Sequence, residues 1–223
     1  MKAKEILLEA GKILKKRYFE KQDYSVKERF HLLSQIDLEM DEFITRKLQE
    51  NFSTYSIFSE ESEEIIKDKR KRWILDPIDG TTNFIMGNSN FAISLALEQD
   101  DEIIEGHVYN PVSEEYFIAP ENDDSSYLNE EIICVSKTNL ISNALVAFGY
   151  SAKMQVIEDY YANWKTVFNE CRKGIGWVAP ALSICNVARG RVDAFIDTGC
   201  SMQGQAAASL ILQRAKGMMF DNG

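Results

Sequence analysis

Asp76 and Asp79 stand three residues apart in the string WILDPIDGTTNF, Trp73 to Phe84, with a proline between them and a glycine and two threonines after them. The short apolar run Trp73 to Leu75 reads as a strand that delivers Asp76. Pro77 fixes the next backbone angle, so Asp79 can converge on the same point where the strand ends. Hard divalent ions such as Mg²⁺ bind through one or two carboxylates completed by phosphate oxygens and waters, which is the chemistry this pair offers. Gly80, Thr81 and Thr82 follow as a turn whose backbone N–H groups and hydroxyls can approach an anion closely. Asp-Pro-x-Asp-Gly is also a common turn sequence. That bland reading suits two acids alone better than it suits the whole twelve-residue string.

Upstream, Glu60, Glu61, Glu63 and Glu64 follow the β-rich run YSIF. Charge runs are usually solvated faces, and Glu63 and Glu64 are read that way. Glu60 and Glu61 sit at a strand end, as Asp76 does, and could face it across adjacent strands. Asp37 opens a helical stretch and fits two readings, an N-terminal capping acid or a member of the site.

Taken with IFSEES, the string WILDPIDGTTNF resembles the inositol monophosphatase family of Mg²⁺-dependent, lithium-sensitive phosphatases, and the similarity in element order extends over most of the chain. The resemblance implies that Glu60, Asp76 and the carbonyl of Ile78 hold a first metal ion, and that Asp76 and Asp79 hold a second. It implies phosphate contacts from Gly80 and Thr81, with Thr82 in the same turn, and an attacking water oriented by Thr81 with Asp37. Asp197 falls where the family has an acid that contacts a sugar hydroxyl; a solvated loop acid is the alternative. The implied activity is hydrolysis of a small sugar or polyol phosphate, such as inositol monophosphate, by a metal-activated water. Nucleotide 3′-phosphates, sugar bisphosphates and histidinol phosphate are alternative substrates, and a degenerate member acting by binding or dimerisation is the alternative from another class.

Three departures from the family pattern stand out. The family's W-D-x-A-A-G-x-L-I reads here, without gaps, as QGQAAASLI, so Gln203 replaces the Trp and Gly204 replaces the Asp that completes the second metal site. The loop that lines the substrate site is altered to VAPALS, Val178 to Ser183. The chain ends at Gly223, where family members continue, so the last layer is expected to be truncated. Losing one anionic ligand should weaken the second metal site and reduce activity without abolishing it.

The elements that must position these residues follow from periodicity. Residues 3 to 19 place Ile6, Leu7, Ala10, Ile13, Leu14 and Phe19 at helical spacing, and Met40, Phe43, Ile44 and Leu48 repeat the pattern in a second helix from Asp37 to the Asn51–Ser53 turn. Between 55 and 135, the runs YSIF, RWIL, NFAISLALE, EIIEGHVY, EEYFIA and EIICV predict an antiparallel sheet packed on those helices. From Ala144 the order becomes strand (ALVAFG), helix (Gln155–Arg172), helix (Ala181–Arg189), strand (VDAFI), helix (Gln205–Ala215) and an apolar stub (GMMF), an alternation that suggests a second α/β layer. The pattern changes near residue 137, dividing an N-terminal α+β part, 1–137, from a C-terminal α/β part, 138–223. Overall the expectation is an α+β or α/β chain folded as a layered αβαβα sandwich.

Composition narrows the function classes. The 223 residues are 45% hydrophobic and 27% charged, ordinary for a globular protein. With 35 acidic against 25 basic residues the net charge of −10 disfavours nucleic acid and anionic membranes as partners. Apolar runs are too short to span a bilayer and the N-terminus lacks a signal-peptide core, so a cytoplasmic protein is expected. Cys134, Cys171, Cys185 and Cys200 form no C-x-x-C pair and only His31 and His107 are available, which argues against zinc and for buried reduced thiols. A small phosphorylated metabolite and a second copy of the chain, as a homodimer, are the expected partners.

Overall fold

A computed structural model describes residues 2–20, 24–28, 31–68, 70–149, 164–197 and 199–220, and for 24–34 the backbone alone. The two amphipathic stretches form α1 (Lys2–Tyr18) and α2 (Gln35–Asn51). Ile6, Leu7, Ala10 and Leu14 of α1 join Met40, Ile44 and Leu48 of α2 in one buried cluster. Phe19, expected on that stripe, falls just past the end of α1 and is exposed. A hairpin of β1 (Tyr24–Glu28) and β2 (His31–Ser34), not anticipated from the sequence, joins the two helices.

The main sheet has seven strands in sequence order: β3 (Ser56–Ser59), β4 (Lys71–Asp79), β5 (Ala92–Gln99), β6 (Glu102–Asn110), β7 (Glu115–Ala119), β8 (Tyr127–Leu128) and β9 (Glu131–Ile132). The expectation of a wholly antiparallel sheet is corrected at one edge, because β3 and β4 are parallel. Parallel neighbours need a crossover instead of a tight turn, and the acidic stretch after Ser59 provides it, pinned by the Ile57–Ile65 bridge. Parallel pairing brings the ends of β3 and β4 to the same edge, which places Glu60 beside Asp76.

β4 also runs further than RWIL suggests. Asp76 pairs with Ser94 and Asp79 with Ala92, so Pro77 and Ile78 together face the single residue Ile93. That is a bulge, one of the few places where a sheet tolerates proline. Residues three apart on a regular strand point to opposite faces; the extra residue turns Asp76 and Asp79 to the same side.

Past β4 comes the short α3 (Thr81–Ile85). A second sheet of three parallel strands has the order β11 (Lys173–Gly176), β10 (Leu145–Phe148), β12 (Ala194–Ile196). A helix with described residues 164–170, α4, sets Phe168 stacked on Phe148, ring centroids 4.1 Å apart. Between the sheets lie α5 (Pro180–Ala188) and α6 (Met202–Arg214), whose Ala181, Leu182, Ala207 and Ile211 share a core with Ile74, Val108 and Phe117 of the large sheet and Ala147 of the small one. The order α1/α2, large sheet, α5/α6, small sheet, α4 is the αβαβα sandwich. Helix α6 begins at Met202, three residues earlier than expected, because Ser201 caps it by accepting from Gly204 N–H. The helix expected over Gln155–Arg172 lies partly outside the described residues, and β11 follows it unannounced. Residues 217–220 form no strand, with Met218 and Phe220 exposed. All four cysteines are free; Cys185 is buried, but Cys134 is exposed, against the expectation of buried thiols. Among the described residues no helix is long and apolar enough to cross a membrane.

Candidate active site

Five side chains, Asp37, Glu60, Asp76, Asp79 and Thr81, from three separate stretches of chain meet at the ends of β3 and β4. Glu60 N–H donates to Leu75 O at 3.1 Å, continuing the parallel ladder and aligning Glu60 with Asp76. The two carboxyls share a hydrogen bond. Asp76 Oδ1 accepts from Ile78 N–H at 3.1 Å across the bulge. Asp37 is the third residue of α2, not its cap, and is only 1% exposed. Its Oδ1 lies 2.9 Å from Thr81 Oγ1, which also lies 3.1 Å from Ile78 O. A hydroxyl has one proton, so Thr81 donates to one of these acceptors at a time while its lone pairs stay available. One helical turn on, Asp41 accepts from Ser59, tying α2 to the end of β3.

Asp79 is held from the other side of the sheet. It is 2% exposed, and its Oδ2 accepts from Leu182 N–H at 3.2 Å, with Ala181 N–H also donating to it. These amides belong to the first turn of α5, where four backbone donors lack intrahelical partners and an anion is favoured. Even so, burial dominates and pushes Asp79 up to about 8, with the charges of Glu60 and Asp197 adding to the rise. Asp76 is also raised well above the ordinary carboxylate range, first by burial, then by the charges of Glu60 and Asp79. The site therefore concentrates acidic groups that repel one another in a poorly solvated place.

Gly80 makes the close approach of α3 and α5 possible. Its φ of +91° suits glycine, and a Cβ there would come within 2.9 Å of the Ala179 methyl. Asn83 braces the same junction by donating to Asn90 O at 2.7 Å. Thr82 enters through its carbonyl, which accepts from Met86 N–H. Glu64 pairs with Arg72 at 3.3 Å and stays at the surface, as read from the sequence. Asp197 follows β12, accepts from Gly199 N–H at 2.8 Å, and is close enough to Asp79 and Cys200 to raise both.

Gly204 lies beside two of these acids. A Cβ on Gly204 would stand 3.6 Å from Asp76 Oδ2 and 3.8 Å from Asp79 Oδ1. Asp193, a possible substitute acid, is instead committed to Ser136 and to Leu145 N–H. Gly204 is buried in the first turn of α6. Sequence reasoning missed Ser201, Asn83, Asp41 and the α5 amides; a serine three residues before Gly204 was the one available signal, hidden by starting α6 too late. As the side chains stand, no three acid, histidine or cysteine groups among the described residues form a ready coordination set. The donors nearest to one are Glu60, Asp76, Asp79 and the Ile78 carbonyl, all hard oxygens.

Comparison with known proteins gives one consistent picture. The profile described as the inositol monophosphatase family matches residues 2–222. The chain is 32% identical to an inositol-1-monophosphatase of Rhizobium meliloti, over 96% of this chain and 82% of that one. It is 29% identical to the Nus factor SuhB of Escherichia coli, over 95% of this chain and 80% of that one. Among solved structures, the extragenic suppressor protein suhB from Bartonella henselae superposes with a TM-score of 0.90 at 30% identity, covering 95% of this chain and 82% of that one. An IMPase from Thermotoga maritima gives 0.86 at 27% identity, covering 96% and 82%.

Proposed function

Since the chain belongs to the inositol monophosphatase family, we propose that it is a Mg²⁺-dependent phosphomonoesterase that hydrolyses a small sugar or polyol phosphate. The observation that carries this reading is the convergence of Glu60, Asp76 and Asp79 with the Thr81–Asp37 pair at one edge of the large sheet. The donor set fits a hard divalent cation. Buried carboxyls crowded together without a positive charge would be relieved by a cation, and Ile78 O adds a neutral oxygen.

Glu60, Asp76 and the Ile78 carbonyl would hold a first Mg²⁺, and Asp76 with Asp79 a second. When bound, the cation supplies Lewis acidity, acidifying the attacking water and offsetting charge on the phosphoryl oxygens. The remaining work falls to the chain. Thr81, donating to Asp37, turns its lone pairs to hold a proton of the attacking water and so fixes its direction. The Gly80–Thr82 turn receives the phosphate oxygens. Asp197, fixed by the Gly199 amide, takes a hydroxyl of the alcohol. The α5 amides keep Asp79 in place and leave its other oxygen for the site. Gly204 lowers the activity below that of a site with a third carboxylate.

A small phosphorylated metabolite is the proposed partner, the net charge of −10 counting against nucleic acid and anionic membranes, and a homodimer in the cytoplasm is the proposed state. Phosphate release from a panel of sugar, polyol and nucleotide monophosphates, with Mg²⁺ and with chelator, tests the proposal. Turnover of at least one polyol or sugar phosphate only with Mg²⁺ is expected. No release from any of them would instead favour a family fold that acts by binding.

A further inference from the structure

Gly149 follows β10, and its N–H donates to Ile196 O at 3.0 Å, extending the parallel ladder with β12 to the point where Asp197 leaves it. The backbone does not require glycine there, since the positive-φ glycines among the described residues are Gly80, Gly87 and Gly190. The neighbouring side chains do. A Cβ on Gly149 would overlap Asp197 Oδ2 and come within 3.1 Å of the tip of the Phe195 ring. The Asp197 carboxylate therefore lies against the bare α-carbon of Gly149, while its Oδ1 accepts from Gly199 N–H at 2.8 Å. The place of this pair in the fold is a second observation. β10 is the central strand of the small sheet, with β11 on one side and β12 on the other. In chain order β10 leads to α4 and β12 leads to α6, which pack on opposite faces of that sheet. Where the connections after two neighbouring parallel strands part in this way, a crevice opens beyond their carboxyl ends, and open α/β sheets bind ligands there. Gly149 and Asp197 stand at that switch point, with Asp197 near enough to Asp79 for its charge to be felt in the candidate active site.

We propose that Gly149 is a specificity-determining positioning residue: the absence of a side chain there seats the Asp197 carboxylate at the switch point, where it reads a hydroxyl on the alcohol part of the substrate. The inference rests on the phosphomonoesterase reading above and concerns which alcohol the site prefers. A carboxylate held between an amide and a bare α-carbon has little rotational freedom left to lose, so its hydrogen bond to the hydroxyl carries a smaller ordering cost. An ionised carboxylate only accepts, so its partner must be a donor such as a hydroxyl. Its charge also counts against a second phosphate in the same place, which favours polyol monophosphates over bisphosphates. The obstacle at Gly149 differs in kind from that at Gly106. There an added Cβ meets the Ala207 backbone, which only a helix shift can clear; at Gly149 it meets the far ends of side chains, which can rotate. Gly149→Ala should therefore fold and displace Asp197.

The test compares the wild type, Gly149→Ala, Asp197→Ala and the double variant, with Mg²⁺, on inositol monophosphate and on cyclohexyl phosphate, the same ring without the other hydroxyls. Gly149→Ala should lower kcat/KM for inositol monophosphate about 10- to 100-fold, mainly through KM, the scale of one hydrogen bond to a charged group, and alter cyclohexyl phosphate by less than about twofold. Asp197→Ala should show the same selective loss. The double variant should lose no more than Asp197→Ala alone, because Gly149 acts through Asp197. A second readout needs no turnover. Asp197 helps to hold the Cys200 thiol above its ordinary value, so Cys200 should react with iodoacetamide at lower pH in Gly149→Ala than in the wild type, read by mass spectrometry of the Cys200 peptide. Equal losses on the two phosphates, losses that add in the double variant, or an unshifted Cys200 would overturn the positioning role. A wild type with equal kcat/KM for the two phosphates would overturn the reading of a hydroxyl by Asp197. No hydrolysis of either phosphate by the wild type would overturn the activity beneath the proposal, and the specificity role with it, whatever Cys200 shows.

Discussion

Without a cation, Asp79 titrates near 8 in the folded chain against an ordinary value of 3.8, and Asp76 is raised as well. Between those values the folded state holds protons that the unfolded state has lost. Stability from these groups is therefore fully present below the ordinary carboxylate range and falls as pH rises toward 8. In chelator the urea midpoint should drop between about pH 5 and about pH 8, and Asp79→Asn should flatten the drop, leaving the variant about 1–3 kcal/mol more stable at the upper end. Adding Mg²⁺ should restore the wild type at high pH and do less for the variant. A wild-type midpoint that rises with pH over this range would contradict the account. Thr81→Ala removes a water-orienting hydroxyl and no charge. Its kcat should fall about 10²-fold with the Mg²⁺ half-saturation unchanged; equal losses in both would make Thr81 purely structural. These acids and Thr81 were legible because they lie in two short strings. Ser201, Asn83 and the α5 amides were not, since their roles come from contacts between segments remote in sequence.

At the scale of elements, the site depends on a bulge, a parallel pair and two helix starts. The sequence announced the helices α1 and α2 through their apolar stripes, and most strands through β-rich runs. It concealed the parallel pairing of β3 with β4, because strand runs carry no direction and the crossover between them looks like a surface charge cluster. It also concealed the bulge, since Asp-Pro-x-Asp reads as the end of a strand when in fact the ladder resumes at Asp79. Helix α6 must lie close to β6 to bring its first turn over Asp76, and Gly106 permits this. Gly106→Ala would set a methyl 2.6 Å from the Ala207 carbonyl oxygen, so α6 must shift. The variant should lose about 1–3 kcal/mol in denaturant titration and weaken Mg²⁺ binding as well, whereas a shift in neither would show that α6 is not set by this contact. Ser201→Ala should cost about 1 kcal/mol through the lost cap.

The molecule as a whole is two sheets sharing one pair of central helices, and the catalytic proposal requires that both halves contribute. Asp76 and Thr81 come from the large sheet's edge, while the first turns of α5 and α6 bring the amides that hold Asp79 and the glycine that faces it. Such an assembly was legible only through resemblance, because no periodicity in the sequence says which helix start meets which strand end. The acidic surface and ordinary core fit a small-molecule enzyme, and sedimentation at micromolar concentration should show a homodimer; a monomer there would contradict that assignment without touching the site. The central claim is that buried acids at one sheet edge hold Mg²⁺ for phosphate ester hydrolysis. Its most direct test is phosphate release by the wild type and Asp76→Asn, prepared in parallel, from one responsive phosphomonoester with Mg²⁺ and with chelator. The account predicts release by the wild type that vanishes in chelator, and at least a roughly 10²-fold loss in Asp76→Asn even at high Mg²⁺. A variant that keeps most of the wild-type rate, or a wild type indifferent to chelator, would contradict it.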